Sequence, residues 1–228
     1  MLRQTRLGLG LFAIAALAIT AFLLARAHYA PVPGSDHRTA RQLILHFALS
    51  RLDDPIIVLG DSNVEASTLP RSACGHAIVN AGLNGASTTS DLGGWLAAAL
   101  AGKRAFAIVV SLGTNDALTE APVDKQVFAS RYEALLRELS QHTGRLFVVE
   151  IPSVEARQRL TSEMEKQIMA TIRSFRSTLP DVATRTGASF LPLSEMSAPF
   201  TIDGVHFNAE GYGVWEQAVM QGVAAACG

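Results

Sequence analysis

Three observations in this 228-residue sequence predict an α/β fold, a three-layer sandwich around a parallel sheet of five strands. Short apolar runs at 56–59 and 106–112 have the length and β-branched content of strands buried on both faces. Stretches of helical period separate the apolar runs, so strand and helix alternate and the crossovers are of the βαβ kind. Glycine or proline ends the principal runs, at Gly60, Gly113 and Pro152.

The elements follow in order. Leu43, Ile44, Phe47, Ala48 and Leu52 recur at spacings of three and four, which predicts a helix before the first strand, I-I-V-L at 56–59. A short second strand is predicted over 77–79, followed by N-A-G-L-N-G at 80–85. Residues 87–91 supply cap residues for a helix running to Leu100. The third strand, F-A-I-V-V-S-L, runs into G-T-N-D at 113–116. Pro122 opens a helix to about His142, with Phe128, Tyr132, Leu135, Leu136 and Leu139 as its apolar stripe. The fourth strand covers 146–151, a long amphipathic helix 154–179, and the fifth strand 189–193. A loop rich in Ser, Pro and Thr ends in D-G-V-H at 203–206, and a last helix begins near Asn208.

Ahead of this domain, Arg3 and Arg6 precede nineteen uncharged residues, 7–25, closed by Arg26. At 1.5 Å per residue they span about 28 Å, enough to cross a hydrocarbon core. The basic amino end favours a cytoplasmic N-terminus, which puts the following residues on the far side. Ala25-Arg26-Ala27 has the small-x-small form of a signal-peptidase site, but the run is longer than the usual cleaved core, so an uncleaved anchor is favoured over a cleaved signal. The expected organisation is an anchor or signal over 1–29, a Pro/Gly linker over 30–36 and one domain over 37–228. Expected placement is outside the cytoplasm, with the membrane as a partner through the N-terminal helix.

Lys and Arg number 19 against 20 Asp and Glu, and no basic block or basic-aromatic interleaving points to nucleic acid. The two cysteines, Cys74 and Cys227, match no metal spacing; in an exported protein they pair or stand as separate thiols. No metal or other cofactor is called for, and no Gly-rich phosphate loop occurs. Composition leaves the oligomeric state open.

The polar residues that interrupt the pattern fall just past the carboxyl ends of strands, where open α/β sheets bind ligands. Ser62 follows the first strand, Gly85 the second, Asn115 the third, and Asp203 with His206 the fifth. Singly each reads as turn or cap chemistry. In order, and each at a strand end, they read as one site. A serine hydroxyl needs a base to act as a nucleophile, and His206, three residues after Asp203, is the histidine placed to serve.

These four blocks, G-D-S (60–62), Gly85, G-T-N-D (113–116) and D-G-V-H (203–206), resemble the SGNH, or GDSL-type, hydrolase superfamily over residues 54–226. The resemblance implies a flavodoxin-like domain with Ser62 as nucleophile, His206 as general base and Asp203 orienting the imidazole. It makes the N–H groups of Ser62 and Gly85 and the amide of Asn115 the oxyanion hole. Asn63 stands where the family name has leucine, which bears on the substrate rather than the chemistry. The implied activity is a serine esterase, with an acyltransferase sharing the mechanism and a non-catalytic ligand-binding module as the alternative of another class. Short and mostly polar residues expected to line the rim, Asn63, Glu65, Asn84, Ala86, Ser87, Thr88, Ser194, Glu195, Ser197 and Thr201, with Leu69, Met196 and Phe200 as the larger apolar exceptions, favour a small acyl group, such as O-acetyl on a carbohydrate, over a lipid.

Overall fold

The structure, a computed structural model, describes Thr20 and residues 35–228. Backbone contacts divide the chain into two units, Met1–Ala40 and Arg41–Gly228. Thr20 and the opening of helix α1 (Ser35–Ser50) are the described part of the first, and the second holds every other element. Among the described residues no helix is long and apolar enough to cross a membrane. The apolar run 7–25, apart from Thr20, lies outside them.

Five strands are parallel: β1 (Ile56–Gly60), β3 (His76–Gly82), β4 (Ala107–Ser111), β5 (Leu146–Val149) and β6 (Ser189–Leu191). They lie in the order β3-β1-β4-β5-β6, the flavodoxin-like arrangement in which chain direction across the sheet reverses beside β1. The reversal leaves a crevice at the carboxyl ends of β1 and β4. β1 is buried along its whole length, as its unbroken apolar sequence requires between two neighbours and two layers of helices.

The sheet has six strands rather than the predicted five. An antiparallel edge strand, β2 (Ser72–Ala73), pairs with the start of β3. Cys74 and Gly75 join the two, both with positive φ (43° and 85°), as a two-residue turn matched to strand twist demands. A two-residue strand carries no periodic signal, and cysteine is an unusual first residue for such a turn. Here its side chain is engaged in a disulfide with Cys227, Cα atoms 6.1 Å apart.

One sheet face, through Ile57, Leu59, Ile108, Val110 and Val148, packs on residues of α1, α3 (Leu92–Leu100), α5 (Lys125–Ser140), α6 (Ser162–Arg176) and α7 (Leu179–Thr186). The other face, through Ile56, Val58, Val109, Phe147 and Val149, packs on α8 (Ala209–Cys227), with Trp215 at its centre. Two short helices, α2 (Ser62–Glu65) and α4 (Thr114–Ala117), sit directly at strand ends.

The helix predicted over 154–179 is a loop over 154–161 followed by α6, with α7 separate behind it. Thr161 sets the boundary: its hydroxyl accepts from the Met164 N–H at 3.2 Å, and Glu163 and Glu165 complement the helix dipole in the first turn. Likewise α5 begins at Lys125 rather than Pro122, because Asp124 accepts from the Gln126 N–H at 2.7 Å.

Candidate active site

β1 can end where it does because residue 60 is glycine. A Cβ there would run into the Ser111 carbonyl and the Val64 side chain. Asp61 then caps α2, its carboxylate accepting from the Asn63 N–H at 3.0 Å, and Ser62 becomes the first helical residue. Its hydroxyl lies 3.0 Å from Nε2 of His206, and Nδ1 of His206 lies 2.7 Å from Asp203 Oδ2. A carboxylate only accepts, so Nδ1 carries the proton and neutral Nε2 is left to accept from Ser62.

Burial raises the pKa of Asp203, but donors outweigh it: the His206 N–H at 2.8 Å, the His206 ring and the Val205 N–H at 3.0 Å hold its carboxyl well below the usual range. It is therefore a fixed anion at any working pH. Asp61 shows the opposite balance. Burial pushes its carboxyl up to about 6, against the Asn63 N–H and the nearby His206 ring, which favour the charged form.

Asn115 and Gly85 come together on the neighbouring strand ends. The Asn115 amide donates one N–H to the Ala86 carbonyl at 2.8 Å, which fixes its plane and leaves a second N–H. Gly85 has φ +75°, backbone that suits glycine. Behind them the Asp116 carboxylate accepts from the Thr88 N–H at 3.1 Å and from its hydroxyl, tying the 85–88 loop to α4; burial pushes this carboxyl up too. The Leu83 N–H donates to Gly60 O at 2.9 Å, so this loop is also laced to the end of β1.

The loop carrying Asp203 and His206 is held by residues to which the sequence reading gave no such role. Asn63 is buried; its side-chain oxygen accepts from the Phe207 N–H at 3.2 Å and its amide lies 3.4 Å from Val205 O, gripping the backbone on both sides of His206. Its own carbonyl accepts from the Tyr212 hydroxyl at 3.0 Å. Glu155, in the loop before α6, accepts from the N–H groups of Phe200 at 3.1 Å and Thr201 at 2.7 Å. The Thr201 hydroxyl in turn accepts from Gly204 N–H at 3.1 Å. A polar residue where the motif has leucine was the available signal for Asn63. For Glu155 there was none, because the segment read as helix.

Ser62, Glu65, Ala66, Asn84, Ile202, His206, Phe207 and Tyr212 line a cavity of about 480 Å3. This corrects the lining expected from sequence. Asn63, Phe200 and Thr201 are buried, while Ser194, Glu195 and Met196 line a separate cavity beside Arg176. Ser87 and Thr88 line another, with Arg131 and Glu138. Around Ser62 the lining is thus mixed, apolar at Ala66, Ile202, Phe207 and the Tyr212 ring and polar at Glu65 and Asn84. Among the described residues no group of His, Cys, Asp or Glu is arranged to hold a metal ion.

Fold and hydrogen-bonded series define a class: flavodoxin-like α/β proteins bearing a serine, histidine and aspartate at the carboxyl rim of the sheet. Within it, the chain belongs to the GDSL-like Lipase/Acylhydrolase family, whose sequence profile matches residues 58–214. Solved structures share the fold. A Streptococcus pneumonia protein described as a platelet activating factor aligns with a TM-score of 0.67 at 21% identity, over 92% of this chain and 98% of that one. A lipase/acylhydrolase from Enterococcus faecalis aligns at 0.60 and 16%, over 75% and 95%. An acetylxylan esterase from Geobacillus stearothermophilus, solved as a catalytic mutant, aligns at 0.54 and 13%, over 75% and 94%. No curated protein matches the sequence.

Proposed function

We propose that this protein is a serine esterase that removes short acyl groups, O-acetyl above all, from a carbohydrate outside the cytoplasm, held at the membrane by its N-terminal apolar segment. The observation that carries the reading is the series Ser62–His206–Asp203, opening on a cavity large enough for an acyl group and part of a sugar. In this mechanism the Ser62 oxygen attacks the ester carbonyl carbon while its proton passes to Nε2 of His206. Asp203 stabilises the imidazolium that forms. The N–H groups of Ser62 and Gly85 and the free N–H of Asn115 receive the negative charge on the carbonyl oxygen. Collapse of the tetrahedral intermediate expels the alcohol, which takes the proton from His206. Water then repeats the sequence on the acyl-enzyme and regenerates Ser62.

The mixed lining of the cavity fits the substrate class, with the acyl methyl against Ala66, Ile202 and Phe207 and sugar hydroxyls towards Glu65 and Asn84. The acetylxylan esterase among the structural neighbours agrees with it. A disulfide between Cys74 and Cys227 suits an oxidising compartment. The test is kcat/KM across p-nitrophenyl esters from acetate to dodecanoate, then acetate release from acetylated xylan. We expect the acetate ester to lead and xylan to release acetate. Preference for octanoate or longer, with no acetate from any glycan, would move the substrate to a lipid, which the apolar part of the lining also suits. Product formed on added alcohols in place of acetate would make the protein an acyltransferase.

A further inference from the structure

Of the large apolar side chains exposed among the described residues, Val127 and Met164 stand on other helices, and Ile202 belongs to the cavity at Ser62. The remaining three share one face of α1. Leu43 is 54% exposed, Ile44 58% and Phe47 56%, with Ala48 exposed beside them. The opposite face of the same helix is what docks it. Leu45 and Leu49 are buried, the His46 ring meets Ala99 O at 3.2 Å, and the Arg41 guanidinium donates to Asn80 O at 3.2 Å and Gly82 O at 2.9 Å. The helix is thus fixed with a second apolar stripe outward, where a surface helix ordinarily carries polar residues.

We propose that this outward face of α1 rests on a lipid bilayer, with Leu43, Ile44 and Phe47 inserted at the headgroup boundary. The proposal rests on the anchoring half of the reading above and is independent of the esterase half. The length of chain ahead of the helix points to lipid rather than to a protein partner. The apolar run ends at Ala25 and α1 begins at Ser35, so nine residues intervene, a reach of about 30 Å when fully extended. A helix tethered that close meets the bilayer at high effective concentration, and three apolar side chains suffice as a second attachment where they would be marginal alone. The first turns of α1 lie near the rim bearing Ser62. Arg41 reaches the carboxyl end of β3 and lies 3.7 Å from Glu65, which lines the cavity at Ser62. The far end of α1 is held towards the amino ends of the strands, where Lys103, just ahead of β4, donates to Ser50 O at 2.8 Å. Docking therefore sets the bilayer alongside the sheet and brings the rim bearing Ser62 beside the headgroups.

The sequence holds two cysteines, joined as a disulfide, so one introduced cysteine can be labelled selectively. Full-length Ile44→Cys, Phe47→Cys and, as a control on α5, Val127→Cys are labelled with nitrobenzoxadiazole. Each is reconstituted into phosphatidylcholine–phosphatidylglycerol vesicles with or without doxyl-labelled lipid. The labels at 44 and 47 are expected to lose most of their emission to doxyl lipid, and the label at 127 none. If the chain floats with the vesicles but the labels at 44 and 47 behave like that at 127, docking is overturned and anchoring stands. Labels shielded in proportion to protein density, yet indifferent to doxyl lipid, would show a second copy on this face and overturn the proposal. A chain that does not float with vesicles overturns docking and anchoring together. Hydrolysis of p-nitrophenyl acetate by the three variants, unchanged from the parent, reports an intact fold and tests the esterase reading separately.

Discussion

Ser62 and His206 are held by different kinds of structure. Ser62 sits two residues beyond the end of a central strand, paired on both sides and buried throughout, with a helix capped by the adjacent Asp61 carboxylate beginning at the serine itself. His206 lies in a loop well past the last strand, braced by side chains: Asn63 on either side of it, Glu155 and Thr201 beneath it, Asp203 against its ring. The position of the serine is a property of the sheet, and that of the histidine depends on a handful of side-chain bonds. Single substitutions should therefore be able to displace the His206 imidazole, the proposed base, while leaving Ser62, the proposed nucleophile, where it is.

The largest effect tests whether the two halves work as one unit. Ser62→Ala and His206→Ala should each lower kcat on p-nitrophenyl acetate to a common floor, a loss of up to about 10^6, with circular dichroism unchanged. Unequal floors would mean that one of them is not in the reacting series. Next is the charge-stabilising side: Asn115→Ala should lower kcat by about 10^2 to 10^3 with KM little changed. A rise in KM at constant kcat would assign Asn115 to ground-state binding.

The comparison itself is broken by Asn63→Leu, which restores the family-name residue at similar volume. It leaves the Phe207 N–H without its acceptor and frees the loop, and a shift of about 1 Å in the imidazole costs about 10^2-fold. Hydrogen exchange should rise over 203–207 and stay unchanged along β1. Exchange rising equally in both would show that the nucleophile depends on the same brace.

The smallest effect, on stability rather than turnover, concerns Asp61 behind the serine. Its carboxyl titrates at about 6 in the folded protein against 3.8 for the free group. The folded state therefore binds more protons between these values, and stability falls as pH rises through that window. Asp61→Asn keeps an acceptor for the Asn63 N–H and removes the buried charge, so chemical denaturation should find it more stable than the parent by up to about 3 kcal/mol above pH 6. The two should converge below pH 4; a difference constant across pH would show that the charge is not its source.

The same contrast explains what was legible in the sequence. The parallel strands announced themselves because burial on both faces imposes an apolar run, and the glycines and polar residues ending them marked the rim. Ser62, Gly85 and Asn115 could be read there because each closely follows such an end, while Asp203 and His206, in a loop well past β6, were marked by their spacing of three ahead of the last helix. The braces were not legible. Asn63 looked like a departure from a motif, and its contacts with Val205 and Phe207 cross more than 140 residues of chain. Residues 154–161 carry apolar spacing that suits a helix, and only the cap at Thr161 and the bonds of Glu155 to the 200–201 backbone reveal a loop. The cavity lining was misread for the same reason: distance along the sequence from Ser62 did not show that α8 contributes Tyr212 or that Ile202 turns towards the serine.

The bridge between Cys74 and Cys227 encloses most of the domain in a covalent ring, the two cysteines lying 153 positions apart. Gly85, Asn115, Asp203 and His206 are inside the ring, and Ser62 stands just before its entrance. A protease that cuts one exposed bond between the cysteines therefore releases no fragment. The pieces migrate as one molecule until a reductant opens the bridge, and serine and histidine stay tethered across the nick. In the extracytoplasmic setting proposed above, such a ring would prolong the working life of a site whose two halves come from opposite ends of the domain.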